Sequence, residues 1–172
     1  MILNYCGISI RRFEREDIEM VRIWRNDPKI TKHMFYQEHI TPEMQKSWFD
    51  SLSNNDYYFI IEKDEIPLGL ISLAFDSLEE RSAYAGLFIY EESYWGTQIP
   101  VLASLALLRF AFDDLDLALV KARVQKENKV ARRYNEQLGF KRLSDEVQQL
   151  EAKTYYSKLT GLIAHTARTF SQ

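Results

Sequence analysis

Apolar positions alternate with polar ones at Ile8 and Ile10, then recur at helical spacing at Ile18, Val21 and Trp24. This predicts a first strand within residues 1–10 and a helix that Asp27-Pro28 stops. Residues 29–40 show no period. Thr41-Pro42 then supplies an N-cap and a first-turn proline for a helix carrying Met44, Trp48 and Leu52, and Asn54-Asn55-Asp56 ends it. Residues 57–61 and 68–74 are apolar, aromatic and β-branched, and the short polar Lys63-Asp64-Glu65 between them predicts a hairpin, with a third strand at 82–90.

The second half reads as densely. Residues 99–112 are apolar nearly all round, the mark of a helix buried by a sheet on one side and covered on others. A buried strand is expected at 117–124, and a helix at 129–138 with Val130, Tyr134 and Leu138 in one stripe and Gly139 at its C′ position. Phe140 returns to the sheet, and a last strand around 154–160 with a short terminal helix completes one α+β layered domain of mixed strands over residues 1–172.

Composition narrows the function classes. The chain has 172 residues, 46% hydrophobic and 13% aromatic, enough for one sizeable core and too apolar for disorder. Against 22 Lys+Arg stand 25 Asp+Glu, a net charge of −3, so the electrostatic footprint of a nucleic-acid binder is missing. Cys6 is the single cysteine, which excludes an intrachain disulfide and multi-Cys zinc patterns and sets a reducing, cytoplasmic compartment as the expectation. No metal is expected. Residues 1–10 lack a cationic leader and a small-residue cleavage site, and the apolar run 99–112 is shorter than the roughly 20 residues a membrane span needs. Aromatic content including Trp24, Trp48 and Trp95 fits either the core or a homodimer surface.

The candidate chemistry lies where the apolar strand 84–89 runs through Tyr94-Trp95-Gly96-Thr97 into the long apolar helix. A strand, a glycine turn and a helix start make a diphosphate cradle, because the helix N-terminus presents unpaired N–H groups and the positive end of the macrodipole.

This order of elements, with Gly96 before the apolar helix and Asn128 through Leu138-Gly139-Phe140 after the fifth strand, resembles the GNAT acyltransferase family across nearly the whole chain. Gly86-Leu87-Phe88-Ile89 through Tyr94-Trp95-Gly96 is similar to the subgroup that holds ribosomal-protein N-terminal acetyltransferases and amino-sugar acetyltransferases. Arg25-Asn26, Pro28, Ile30, Lys32, Met34, Gln37 and Ile40 resemble the corresponding segment of bacterial nucleotide-sugar N-acetyltransferases of pseudaminic acid synthesis. The resemblance implies a central mixed, mostly antiparallel twisted sheet flanked by helices on both faces, and acetyl-CoA as co-substrate.

It also implies roles. The backbone of Leu87, Phe88 and Ile89 would hold the pantetheine and thioester carbonyl, Trp95, Gly96, Thr97, Gln98, Ile99 and Pro100 the pyrophosphate, and Asn128 the pantetheine arm or, as a turn residue, its own helix. Arg132 and Arg133 would either meet phosphates or stand solvated. Two family glycine or alanine positions carry Gln98 and Pro100; Gln98 would crowd the cradle or donate its own amide, and Pro100 has no N–H. The family's proton-donating Tyr falls on Asn135, with Tyr134 beside it and turned about 100° away. Tyr134 therefore reads as core, with catalysis as the alternative.

Amine acetylation by direct transfer needs an uncharged amine, donors for the oxyanion and a proton for sulfur, but no covalent nucleophile, which leaves Cys6 as a small buried hydrophobe. Tyr84, where relatives carry Glu, would order water, and His33, His39, Tyr36 and Gln37 crowd the segment that the resemblance assigns to the acceptor. Arg25 suits phosphate, Asn26 a cap or a sugar hydroxyl, and Met34 a core or a soft pocket wall. The leading reading is an acetyl-CoA-dependent N-acetyltransferase acting on a nucleotide-linked deoxy-amino sugar. A protein N-terminal α-amine acetyltransferase and a catalytically silent CoA-binding module are the alternatives.

Overall fold

The computed structural model describes residues 2–161. β1 (Ile2–Tyr5) and β2 (Ile8–Arg12) form a hairpin where the pattern predicted one strand. Its turn is Cys6-Gly7, with φ of 50° and 80°, the left-handed pair that matches strand twist in a tight hairpin. Cys6 thus sits in a hairpin turn, half-buried and not the buried hydrophobe expected. Asp64 and Glu65, with φ of 51° and 64°, repeat the device between β3 (Asp56–Lys63) and β4 (Ile66–Ser77).

β5 (Ser82–Ile89), β6 (Leu119–Arg123), β7 (Lys141–Arg142) and β8 (Val147–Glu151) complete an eight-stranded sheet in the order β1-β2-β3-β4-β5-β6-β8-β7. Every neighbouring pair is antiparallel except β5 with β6. α1 (Ile18–Asn26), α2 (Pro28–Thr31) and α3 (Pro42–Asp50) precede β3; α4 (Ile99–Arg109) follows β5. α5 (Lys129–Gln137) follows β6, and the short α6 (Ala152–Thr154) follows β8.

Strand alternation sorts the side chains onto two faces. Phe59, Ile61, Ile71, Leu73, Ala83 and Ile89 pack with α4, whose residues from Leu102 to Leu108 are all buried, so its all-round apolar pattern has its cause in full enclosure. On the opposite face Ile60 and Leu70 pack with Phe13, Val21 and Trp24 beneath α1 and α3. Arg11 fastens that layer: its guanidinium donates twice to Asp17 at 2.7 Å and once to Glu62 at 2.7 Å. Thr41 caps α3 by accepting from Met44 N–H at 3.2 Å, as expected of Thr-Pro at a helix start.

Three expectations give way. The last strand is Val147–Glu151, and Tyr155–Leu159 forms a π-helical turn. Gln148 hides the strand from a hydropathy reading because its buried amide donates to Arg132 O at 3.2 Å and accepts from Asn135 at 3.0 Å. Val130 is 81% exposed, since α5 begins beyond the edge of the core and only Tyr134 and Leu138 reach it. The apolar run after Arg109 continues as a π turn, Phe110–Asp114. The expected terminal helix lies outside the described residues. No helix among the described residues is long and apolar enough to cross a membrane.

Candidate active site

β5 and β6 pair in parallel only from Ser82 to Ala85 against Leu119 to Ala122. Beyond Ala85 the two strands part, while β5 stays paired with β4 through Ile89. Tyr90 N–H bonds Leu68 O at 2.7 Å, which fixes the phase of the antiparallel ladder. Phe88 and Gly86 turn their backbone groups toward β4, and Leu87 and Ile89 turn theirs into the gap. The Ile89 carbonyl is taken by the Trp95 indole N–H at 2.8 Å, so the gap retains the Leu87 N–H and C=O and the Ile89 N–H.

The gap opens toward the start of α4. Gly96 has φ 73° and no atom within 4 Å of where a Cβ would sit, so the turn borders open space. Leu102 N–H to Gln98 O, at 2.9 Å, is the first helical bond, and the N–H groups ahead of it have no intrahelical partner. Thr97 accepts from Ile99 N–H at 3.3 Å and donates to Tyr94 O at 2.7 Å, which holds the turn in shape. Gln98 is exposed and caps nothing, so its side chain does not close the end. Pro100 occupies the first turn, where its missing N–H is no loss.

On the face away from α4, Tyr58, Ser72 and Gly86 are cross-strand partners in one row over β3, β4 and β5, ending at the gap. Gly86 is exposed although it lies in the middle of the sheet. Tyr84 follows on the same face, with the Lys121 ammonium 5.7 Å from its ring centre and Asp76 holding that ammonium at 2.5 Å. At the other end of the row Trp48 stands edge-on to Tyr58 at 4.9 Å.

Arg25 faces Tyr58 and Tyr36 and has no hydrogen bond or carboxylate partner among the described residues. Burial pushes its guanidinium below the ordinary arginine pKa, against the opposing pull of the two phenols. Burial, aided by Asp56, pushes the Tyr58 phenol up, while Arg25 pulls it down. A half-buried cation beside two hydroxyls is a site that an anion would complete.

Other residues singled out in the sequence are committed elsewhere. Asn26 grips the Ile40 backbone with both ends of its amide, at 2.8 Å each, so it clamps α1 to the chain before α3. Gln37 bonds locally to Met34 O at 3.1 Å. Gln125, which the sequence reading passed over, donates to Met34 O at 2.8 Å and ties this segment to the end of β6, and Arg123 lies over Phe35 at 4.1 Å.

Asn128 caps α5 by accepting from Ala131 N–H at 3.1 Å, which leaves its amide N–H₂ available. The Tyr134 hydroxyl donates to Pro100 O at 2.7 Å and meets Ser104 Oγ at 2.7 Å, and burial pushes its pKa upward. Asn135 is bonded to Gln148. Arg132 donates to the Asp145 and Gln125 carbonyls, while Arg133 is exposed.

A family model described as the acetyltransferase (GNAT) domain matches residues 8–141. The chain belongs to the GNAT acetyltransferase family. It is an N-acetyltransferase. Among GNAT proteins, acetyltransferase PseH of Campylobacter jejuni is 28% identical over 130 residues, covering 73% of this chain and 77% of that protein. The fold is shared with spermidine N-acetyltransferase from Vibrio cholerae, solved with CoA and spermine: TM-score 0.79, 18% identity, 87% of this chain and 98% of the other. A domain from Methanocaldococcus jannaschii superimposes with TM-score 0.72 at 24% identity, over 84% of this chain and 97% of that one.

GNAT acetyltransferases use acetyl-CoA, and the gap and turn fit it. The Leu87 C=O and the Ile89 N–H offer edge hydrogen bonds to the pantetheine amides, and the start of α4 offers N–H groups to a diphosphate beside the space left by Gly96. Among the described residues no three His, Cys, Asp or Glu side chains are grouped to hold a metal ion.

Proposed function

We propose that this enzyme acetylates the amine of a nucleotide-linked deoxy-amino sugar by direct transfer from acetyl-CoA. The observation that carries the reading is Arg25, a half-buried guanidinium without a carboxylate among the described residues, at one end of a row whose other end is the β5–β6 gap. Guanidinium is planar and multidentate toward phosphate, and a diphosphate linker would supply the missing countercharge. The resemblance of the segment around Arg25, Met34 and Ile40 to nucleotide-sugar acetyltransferases, and the likeness to PseH, support the same acceptor. The polycation named for the Vibrio cholerae enzyme would meet like charge at Arg25.

The roles follow from what each group has free. The Leu87 N–H is an uncommitted donor for the developing oxyanion. Tyr84, beside the Lys121 ammonium, orders water near the attacking amine. Asn135 carries no transferable proton near neutrality and is held by Gln148, and the Tyr134 hydroxyl is held by α4, so we assign the proton that reaches sulfur to water. Met34 lines the acceptor side through the segment tied down by Gln125, and Asn128 offers its free amide N–H₂ to the pantetheine arm.

Purified protein with acetyl-CoA should release free thiol on addition of a UDP- or dTDP-linked 4-amino sugar. Spermidine and peptides with a free α-amine should react at least tenfold more slowly. Preferential turnover of either class overturns the acceptor assignment, and tight acetyl-CoA binding without turnover of any amine leaves a silent binding module.

A further inference from the structure

Ser72 belongs to none of the motifs above, and its setting is distinctive. It lies between Ile71 and Leu73, both buried in the α4 core, so its hydroxyl is on the opposite face. It has no hydrogen-bond partner among the described residues. Its cross-strand partner is Gly86, the exposed residue at the mouth of the gap, and a Cβ at Gly86 would sit 2.9 Å from Ser72 Oγ. Glycine therefore does two things there: it makes room for the hydroxyl and leaves the floor open. The next residue along β5 is Leu87, whose N–H points into the gap.

We propose that Ser72 is a catalytic residue that seats the acceptor amine over Gly86, its Oγ accepting a hydrogen bond from an amine N–H. The inference rests on the direct-transfer reading given above. With one N–H held by Ser72, the nitrogen lone pair is aimed at the thioester carbon beside the Leu87 N–H. The C–N bond forms and the C–S bond breaks with its electron pair going to sulfur. The surplus proton on nitrogen passes to water, and sulfur takes one from water, giving the amide and free thiol. Tyr58, the third member of the row, carries the substrate outward toward Arg25.

Alternative explanations of Ser72 are a strand-filling small residue, or a hydroxyl satisfied by solvent at an open surface. The isosteric pair Ser72→Thr and Ser72→Val separates these from the proposal, because the two variants share a shape and differ by one hydroxyl.

In steady-state assays across an amine panel of nucleotide amino sugars, peptides and spermidine, the Thr variant should exceed the Val variant in kcat/KM for the amine by about tenfold, the size of one hydrogen bond to a polar ligand. The Kd for acetyl-CoA, read by calorimetry, should agree within twofold. Equal kcat/KM for the two variants on the preferred amine overturns the proposal for Ser72 while leaving the acceptor assignment intact. Preference for a peptide or polyamine overturns the acceptor assignment, and the same Thr-to-Val ratio on that amine still decides Ser72. No turnover of any amine by the wild type overturns both.

Discussion

Arg25 lies against Tyr58 with no carboxylate among the described residues to balance its charge, whereas Arg11, on the strand next to that of Tyr58, holds Asp17 and Glu62 together. One guanidinium is a structural fastener and the other is a cation kept available. Removing Arg25 should weaken acceptor binding and leave the co-substrate alone. For Arg25→Ala we expect the KM of the nucleotide amino sugar to rise at least tenfold, consistent with losing a charge-assisted hydrogen bond, and that of acetyl-CoA to move less than twofold. The opposite split would move Arg25 out of the acceptor site.

Gly96 tests the cradle. The space beyond it is open and its φ is 73°, so Gly96→Trp combines bulk with strain, whereas Gly96→Ala brings strain alone, about 1 kcal/mol. Calorimetry should show the Trp variant binding acetyl-CoA at least tenfold more weakly, with the Ala variant within about threefold of wild type. Unchanged affinity in the Trp variant would remove the pyrophosphate from this turn.

Tyr134 bridges α5 to the first turn of α4 through Pro100 O and Ser104. Tyr134→Phe leaves the Pro100 carbonyl its helical donor and allows Ser104 to turn back onto it. We expect a loss of about 1 kcal/mol in a denaturant titration and a kcat within threefold of wild type. A drop beyond tenfold in kcat, with the Kd for acetyl-CoA unchanged, would make this phenol the acid for sulfur.

Asp17 sets an acid limit on stability. Burial by itself would raise its pKa, but the Arg11 guanidinium and the Glu14 N–H hold the carboxyl below its usual range. A carboxyl with a depressed folded-state pKa contributes its stability fully above the unfolded value, about 3.9, and loses it as pH falls through the folded one. Thermal melts of the wild type should therefore decline below about pH 4. Asp17→Asn should be destabilised by about 2 kcal/mol or more at neutral pH, because it leaves Arg11 half-answered, and should show a shallower acid decline.

Much of this architecture was legible because its local signals agree with its tertiary ones. Asp27-Pro28 ends α1, Thr41 caps a helix that begins with proline, and Lys63-Asp64-Glu65 turns a hairpin between apolar strands. The misread places share a cause. Gln148 is a buried polar side chain satisfied by Asn135 and Arg132, so hydropathy hides the strand that carries it, and Val130 is an apolar residue left in solvent by where its helix starts. Within the site, Asn26 carries the residue type of a ligand contact, yet both ends of its amide are engaged by Ile40, whereas Asn128 spends only its oxygen on Ala131.

By itself the sequence determined the central strands from β3 to β6, the enclosed helix and the turn at Gly96, because capping, turn chemistry and hydrophobic period act over a few residues. Only the tertiary structure decided where β5 leaves β6, that Tyr58, Ser72 and Gly86 form one row, and that Arg25 has no counterion among the described residues, because register and pairing depend on strands and helices far apart in the chain.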